Sequence, residues 1–360
     1  MPATPPERTF DPVGLPTSQA VRGEPVAVLD VRVGSDRDSD SLLHNGPRHL
    51  AGHGYRLLCS RLQLPDDTAF AAFERIAKEA DAPLIAIPDR GPWDWPVLRD
   101  LLDLCQREQI RIWHAHDFKT NILGLMLNRL WPMRLVASDC NEIQPSIASF
   151  AERLNHICLP RYERVLVESQ DQFDAHIKAG ILPEQLVLLD PAIDTERIIR
   201  HQAVIAVKAE RKIPIERTLI GGAGNDLAFI RSAIRELTTR GHDVQLIESP
   251  EIDSLETLDL FVWQDSIPAA LLEAMAMNVP CIATRTSATS SIIDHGVNGL
   301  LVNRDDVSGL VYSLQRLLSD PLAREAIGRM ARRTVETRFS LPVQLARLAK
   351  VYDELQESGG

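Results

Sequence analysis

No apolar run in the 360-residue chain reaches the roughly 18 residues that a membrane-crossing helix requires. Met1 to Gly23 is Pro-rich and polar and lacks the apolar core of a secretory signal. Residues 1–24 are therefore expected to form a disordered leader and the protein to be cytoplasmic. Cysteine is scarce: Cys59, Cys105, Cys140, Cys158 and Cys281 are odd in number, widely spread and without paired spacing. That pattern excludes a disulfide scaffold and a zinc site, and it predicts reduced thiols and no metal. Basic residues are outnumbered, 39 against 50 acidic, for a net charge of -11. Such a balance opposes a sequence-independent grip on nucleic acid or anionic lipid, so no nucleic-acid partner is expected. The cluster from Arg329 to Arg333 reads as a solvated helix face. No internal repeat is visible at the level of motifs.

What is present is ordinary for a soluble globular chain, 44% hydrophobic and 25% charged, and long enough for two domains with a core each. From Pro25 onward short β-rich runs alternate with amphipathic stretches, the pattern of parallel sheets flanked by helices. Strands are predicted at Val26 to Val33, Tyr55 to Leu62, Pro83 to Pro88, Ile110 to His114, Arg134 to Ser138, Arg164 to Glu168 and Leu186 to Leu189. Helices are predicted at Thr68 to Ala80, Trp95 to Arg107, Thr120 to Leu130, Ser146 to His156 and Gln170 to Ala179. After a polar segment at Ile198 to Lys212 the pattern restarts with strand Thr218 to Ile220, a Gly-rich turn, helix Leu227 to Thr239 and strand Asp243 to Ile247. Strand Leu258 to Trp263, helix Pro268 to Met277, strand Cys281 to Ala283, helix Thr289 to His295 and the run Gly299 to Val302 follow. Three helices close the chain, bounded by Asp320-Pro321 and Ser340-Leu341-Pro342. The predicted division is 25–196, 197–340 and a terminal helix in 341–360, an α/β chain of two Rossmann-like doubly wound domains facing a cleft.

The motifs fall at predicted strand ends, where open α/β sheets bind ligands. The stretch Asp265-Ser-Ile-Pro-Ala-Ala-Leu-Leu-Glu273-Ala-Met-Ala-Met-Asn-Val-Pro280-Cys-Ile-Ala-Thr284 leads into Ile292-Ile293-Asp294-His295-Gly296-Val297-Asn298-Gly299-Leu300-Leu301-Val302. In order and spacing it resembles the signature of glycosyltransferase family four, an E-x₇-E pattern followed by V-P-V-I-A-T and I-I-x-x-G-x-N-G-L-L-V. Arg338-Phe339-Ser340, Val351-Tyr352, and more loosely His114-Ala-His116-Asp117 and Arg164 to Ser169 extend the resemblance over most of Pro25 to Tyr352.

The resemblance implies the GT-B fold and transfer of a sugar from a nucleotide-sugar donor to a glycan or lipid-linked acceptor. It further implies retention at the anomeric carbon, no cofactor and no obligatory metal. Carried over by position, Glu273 matches the ribose-binding carboxylate, which can accept two hydrogen bonds at once, and Asp265 replaces the first Glu beside the donor sugar. His116 joins Asp265 as a catalytic candidate. Gly222, Gly224, Asn225 and Ser287 are candidates for the nucleotide-sugar, and Gly34, Asp117 and Cys140 for the acceptor side. Each has an ordinary reading beside it. Asp265 suits a turn or cap, Asp117 suits the cap of the next helix, and Asp226 after the Gly run suits a helix start better than a diphosphate.

Departures from the family pattern gather at the ligand loops. Gly34 to Asp40 carries carboxylates, Cys140-Asn141 stands where the family has His-Gly, and no Arg and Lys follow Gly221. Ser287, Ala288 and Ser291 replace Gly, Gly and Glu, and Glu248 to Glu256 is too short for the elements usual there, so the second sheet is expected to be shortened. Arg285 or Arg304 would be the replacement cations. Two functions therefore stand open: a retaining glycosyltransferase with altered donor contacts, or a catalytically inactive relative acting as a binding or partner subunit beside an active homologue or membrane-associated pathway enzymes. A Rossmann dehydrogenase is disfavoured because Gly221 to Gly224 lacks the spaced third Gly.

Overall fold

The computed structural model describes residues 24–34, 39–65, 67, 70–79, 82–91, 94–138, 157–224, 226–264 and 269–357. The first domain carries strands β1 (Val26–Val33), β2 (Tyr55–Gln63), β3 (Leu84–Pro88), β4 (Ile112–Ala115), β5 (Arg134–Ser138), β6 (Arg164–Val167) and β7 (Leu186–Leu188). They pair in the order β3-β2-β1-β4-β5-β6-β7, all parallel. Its helices are α1 (Ser39–Ala51), α2 (Phe70–Glu79), α3 (Trp95–Arg107), α4 (Phe118–Leu127) and α5 (Gln170–Lys178). The order reverses between β1 and β4, which opens a crevice at the carboxyl ends of those two strands.

The second domain holds β8 (Thr218–Gly224), β9 (Val244–Glu248), β10 (Leu260–Gln264), β11 (Cys281–Thr284) and β12 (Leu300–Val302), in the parallel order β12-β11-β10-β8-β9. Around it lie α6 (Val204–Glu210), α7 (Leu227–Thr239), α8 (Ala269–Ala276), α9 (Ser287–Ile292), α10 (Val307–Ser319) and α11 (Pro321–Arg338). Its order reverses between β8 and β10. This sheet has five strands against seven in the first, and a single 3-10 turn at Ile252–Thr257 connects β9 to β10, which agrees with the expected shortening.

The last helix, α12 (Leu341–Glu357), returns to the first domain. Leu341, Leu345, Leu348, Val351, Tyr352 and Leu355 are buried with Val28, Leu43, Leu50, Tyr55 and Leu57 in one core layer. Each of these leucines contributes roughly 1.5–3 kcal/mol by leaving water, so the helix is held by its apolar stripe. The chain crosses between domains twice, and the crossings pair: Ile193 donates its backbone N–H to Phe339 and accepts one from Leu341.

Several expectations need correction. The Gly221 to Gly224 run is not a turn: β8 continues through it, hydrogen-bonded to β9 and β10. The polar segment at Ile198 to Lys212 contains α6, whose Lys208 is buried with Nζ 2.6 Å from Asp259 and 2.8 Å from the Arg217 carbonyl. Arg332, expected on a solvated face, donates to the carbonyls of Ile198, Ala276 and Thr195 at 2.6, 2.6 and 2.9 Å and so pins α11 to the interdomain crossing. The fourth strand is shifted, which sets His114 inside β4 and His116 just past its end. The helix expected at Ser146 to His156 lies outside the described residues.

Candidate active site

The reversal between β1 and β4 brings together side chains from four strands and the terminal helix. Asp30 on β1 is register-paired with His114 on β4, and Arg32 is paired with Arg61 on β2. Alternation puts Asp30 and Arg32 on the same sheet face as Val28 but nearer the carboxyl end of the strand. The apolar layer under α12 thus gives way to a buried polar cluster as it nears the crevice. Asp30 and Arg61 are both fully buried. Asp30 Oδ1 lies 2.9 Å from Arg61 Nη1 and 3.5 Å from Arg32 Nε, while Oδ2 lies 2.5 Å from His116 Nε2. Arg61 also sits 5.3 Å over the Phe73 ring, and among the described residues its Nε and Nη2 have no hydrogen-bond partner.

His114 is held at both ring nitrogens, Nδ1 to the Tyr352 hydroxyl and Nε2 to the Ser138 hydroxyl, each at 2.8 Å. Its ring stacks on His116 with centroids 4.4 Å apart. The side chains of His116 and Arg32 are 10% and 18% exposed, the edge of the cluster that reaches solvent. Among the described residues its Nδ1 has no hydrogen-bond partner.

Electrostatics fixes the protonation states. Burial alone would raise the Asp30 carboxyl, but His116, Arg32 and Arg61 outweigh it and hold the group well below the usual carboxylate range. Burial, helped by the Arg32 guanidinium, pushes His116 down to about 4 against the opposing pull of Asp30. His114 is lowered well below its ordinary value, mainly by burial and then by His116. At neutral pH the cluster is one carboxylate, two guanidinium groups and two neutral imidazoles. Asp30, His114 and His116 offer ligand atoms within 4.8 Å of one another. The two guanidinium groups on Asp30 already supply the positive charge that a cation would bring, so this donor set does not fit a divalent metal.

Asp117 has a different occupation. Its Oδ1 accepts the Thr120 N–H at 2.9 Å in a capping box for α4, and its Oδ2 accepts the Val33 N–H at 3.0 Å, tying the end of β1 to the start of α4. Both oxygens accept from backbone N–H groups, and Asp117 thereby holds the crevice walls together. Gly34 ends β1 with φ +69 and donates its N–H to the Leu62 carbonyl, a left-handed stop that a glycine fills without strain. Lys119, at the start of α4, reaches Asp89 with both carboxylate oxygens 2.6 Å away and clamps the loop after β3. Cys140 lies outside the described residues.

In the second domain, a Cβ on Gly222 would meet Leu246 at 2.9 Å and Ile230 at 3.2 Å, so this glycine lets α7 and β9 approach the sheet. Gly224 adopts φ +130 opposite Gln264, and a Cβ there would lie 2.1 Å from the Gln264 carbonyl oxygen. These two glycines serve close packing of the strand. Gln264 is buried at the end of β10, and among the described residues its Oε1 has no hydrogen-bond partner. Glu273 lies half-buried on α8, directly after that strand end. Asn225 and Asp265 lie outside the described residues. Arg285 and Arg304 are exposed; Arg285 borders a groove of about 200 Å³ beside β12, with His295 and Arg316.

The two carboxyl ends face each other. Ser169 caps α5 just after β6, and Thr286 caps α9 just after β11, so both helix starts mark strand ends. Across the interface the Ser287 hydroxyl donates to Asp171 in the first turn of α5. Ser287, expected at the nucleotide-sugar, is engaged in this bridge between domains. Asp30, Arg61 and Tyr352 were missed by sequence reasoning. The one signal for Asp30 was a charged residue in the middle of the apolar run Val26 to Val33.

Comparison with known proteins agrees with this architecture. Residues 201–320 match the family model for glycosyl transferases group 1. The amylovoran biosynthesis glycosyltransferase AmsK of Erwinia amylovora is 26% identical over 285 residues, 71% of this chain and 66% of that protein. A D-inositol 3-phosphate glycosyltransferase of Thermobispora bispora is 30% identical over 245 residues, 62% of this chain and 56% of the relative. The chain thus spans less than two thirds of either curated relative. Among solved structures, Anabaena Alr3699/HepE in complex with UDP and glucose superposes with a TM-score of 0.72 at 15% identity, covering 91% of this chain and 100% of that one. The fold is GT-B. Within that class the chain is a relative of the group 1 glycosyltransferases.

Proposed function

We propose that the protein transfers a sugar from a nucleotide-sugar donor to a glycan or lipid-linked acceptor, with retention and without a metal or other cofactor. The observation that carries this reading is that each sheet reverses its strand order, at β1/β4 beside His116 and at β8/β10 beside Gln264, in two domains bridged at their strand-end helices by Ser287 and Asp171. Such reversals are where open α/β sheets take ligands. The relative named for amylovoran biosynthesis supports a polysaccharide as the product class, and HepE, crystallised with UDP and glucose, supports a uridine diphosphate sugar as the first donor to try. The resemblance to family four supports retention. Metal independence is supported by Arg32 and Arg61, which occupy the carboxylate that a cation would need. Among the described residues no helix is long and apolar enough to cross a membrane. On this reading the enzyme works at the cytoplasmic side beside membrane-associated pathway enzymes.

On the donor side Glu273 takes the ribose hydroxyls as a two-oxygen acceptor, and the adjacent strand ends of β8 and β10 form the floor. Charge leaving with the diphosphate is met by the amides in the first turn of α8. Calorimetry of uridine and guanosine diphosphates against the wild type and Glu273→Ala tests this. Heat with the wild type that is lost in the variant is expected. No heat from either nucleotide at millimolar concentration would sink the reading.

A further inference from the structure

We propose that the groove between β12 and α10 is a second glycan-binding site, which holds one acidic sugar unit of a saccharide chain. Its ligand class rests on the glycosyl-transfer reading; its construction is separate from the cleft. The groove, of about 200 Å³, is smaller than the roughly 300–1,000 Å³ pockets that take drug-sized molecules, and it leaves room for a single ring. It lies along β12, the edge strand, two places from β10 and so roughly 10 Å across the sheet from the β8/β10 reversal. Backbone contacts fix its polar groups. The turn from His295 to Gly299 closes with the Gly296 N–H on the Gly299 carbonyl at 2.7 Å, and Gly296 adopts φ +82, where glycine is unstrained. His295 Nδ1 accepts the Leu301 N–H at 3.0 Å, so the ring proton sits on Nε2 as a donor. Asp306 Oδ1 accepts the Gly309 N–H at 2.8 Å, and its Oδ2 fills the space that a Cβ on Gly309 would enter. A glycine weakens a helix relative to alanine, and here it leaves room for a carboxylate at the groove.

The mixture of groups selects the ligand. Arg285 and Arg316 border the groove against the single carboxylate of Asp306, and among the described residues neither guanidinium has an ion-pair partner. The groove is therefore locally positive in a chain of net charge -11, and an anionic group finds its match there. A planar carboxylate can take two parallel N–H bonds from one guanidinium. Tyr312, one turn before Arg316 on the same face of α10, is 70% exposed. The negative face of its ring suits the apolar C–H face of a pyranose. Asp306 Oδ2 and His295 Nε2 then stand as an acceptor and a donor for ring hydroxyls. A bare anion would leave the Tyr312 ring unused and be repelled by Asp306, and a neutral sugar would leave both guanidinium groups unmatched. A uronic acid unit satisfies the whole set. Held there, a saccharide chain stays on the enzyme between transfers.

Titration of the full chain, without nucleotide, tests the site. The probes are a glucuronic acid trisaccharide, the neutral glucose trisaccharide of the same linkage, a glutamate tripeptide and inorganic phosphate. The acidic trisaccharide is expected to bind about tenfold more tightly than any of the other three, and more weakly as salt rises. Tyr312→Ala and Arg316→Gln are each expected to lose about tenfold in that affinity. Both side chains are exposed, so an unchanged urea midpoint is expected and shows that each variant is folded. Nucleoside diphosphate affinity is expected to be the same in both variants as in the wild type. No binding of the acidic trisaccharide at millimolar concentration, equal affinity for its neutral counterpart, or equal affinity for the peptide or phosphate overturns the site. So does full affinity in folded Tyr312→Ala. Failure of the transfer reading looks different: nucleoside diphosphates then give no heat while the acidic trisaccharide still binds, and the groove stands as the site of a glycan-binding protein.

Discussion

The two sheet reversals of this molecule are built from opposite materials. At β1/β4 the chain buries a carboxylate, two guanidinium groups and two imidazoles in one hydrogen-bonded cluster. At β8/β10 the described residues bring glycine against apolar side chains, with Gly221 against Leu258 and Phe261, and Gly222 against Leu246. Buried charge is expensive unless paired, so the first reversal spends stability on chemistry. Among the described residues the second buries one polar side chain at its edge, Gln264, and no charge cluster. Under the proposed function the first domain would act on the acceptor and the second would hold the donor.

Substitutions that reverse these materials sharpen the comparison. The largest effect is expected at Gly224, where an alanine would meet the Gln264 backbone at 2.1 Å and keep φ +130. Neither strand can yield, because both lie inside the sheet, so Gly224→Ala is expected to cost roughly 4 kcal/mol in urea unfolding. A loss below about 1 kcal/mol would mean that the β8/β10 reversal is not a rigid floor. The first domain, in turn, is expected to answer to pH. His116 goes from an ordinary value of 6.5 in the unfolded chain to about 4 in the folded one, and His114 moves the same way. A lowered folded value means stability present above pH 6.5 and lost as pH falls towards 4, by up to about 3 kcal/mol for His116. Asp30, also lowered, loses its contribution only below its unfolded value of 3.8, so the two windows are separate. Unfolding free energies at stepped pH should show the slope in the wild type and a shallower one in His116→Gln; equal slopes would remove the buried imidazole from the account. The smallest effect is expected at Asp117→Ala, which loses the α4 cap and the bond to Val33, at about 1–2 kcal/mol. Transfer activity in that variant should fall less than in His116→Gln, since Asp117 binds backbone alone.

Parts of the fold were legible because their signals are local. The run Val26 to Val33, the stripe Val97, Leu101 and Leu104 of α3, and the Asp320-Pro321 start of α11 each carry their own periodicity or cap. Helix α1 was not legible, since Asn45-Gly46-Pro47 in its middle reads as a turn; it forms because Leu43 and Leu50 are buried in the layer shared with α12, and tertiary packing overrides propensity. Gly221 to Gly224 misled in the opposite sense. This Gly-rich run became strand because β10 pairs with all four residues and β9 with Gly221 and Gly222.

The candidate site divides along the same line. By itself the sequence determined the two-domain parallel architecture, the family signature around Glu273, and His116 at a strand end, all of them properties of order and spacing along the chain. Only the tertiary structure decided that Asp30 meets His116, that Arg61 is fully buried against Asp30, and that Tyr352 from the far end of the chain closes on His114. Those contacts join residues up to 238 positions apart, and no periodicity encodes which buried charge will find which partner. The sheet order brings β1 beside β4, and the desolvation that follows makes pairing of those groups the condition for folding.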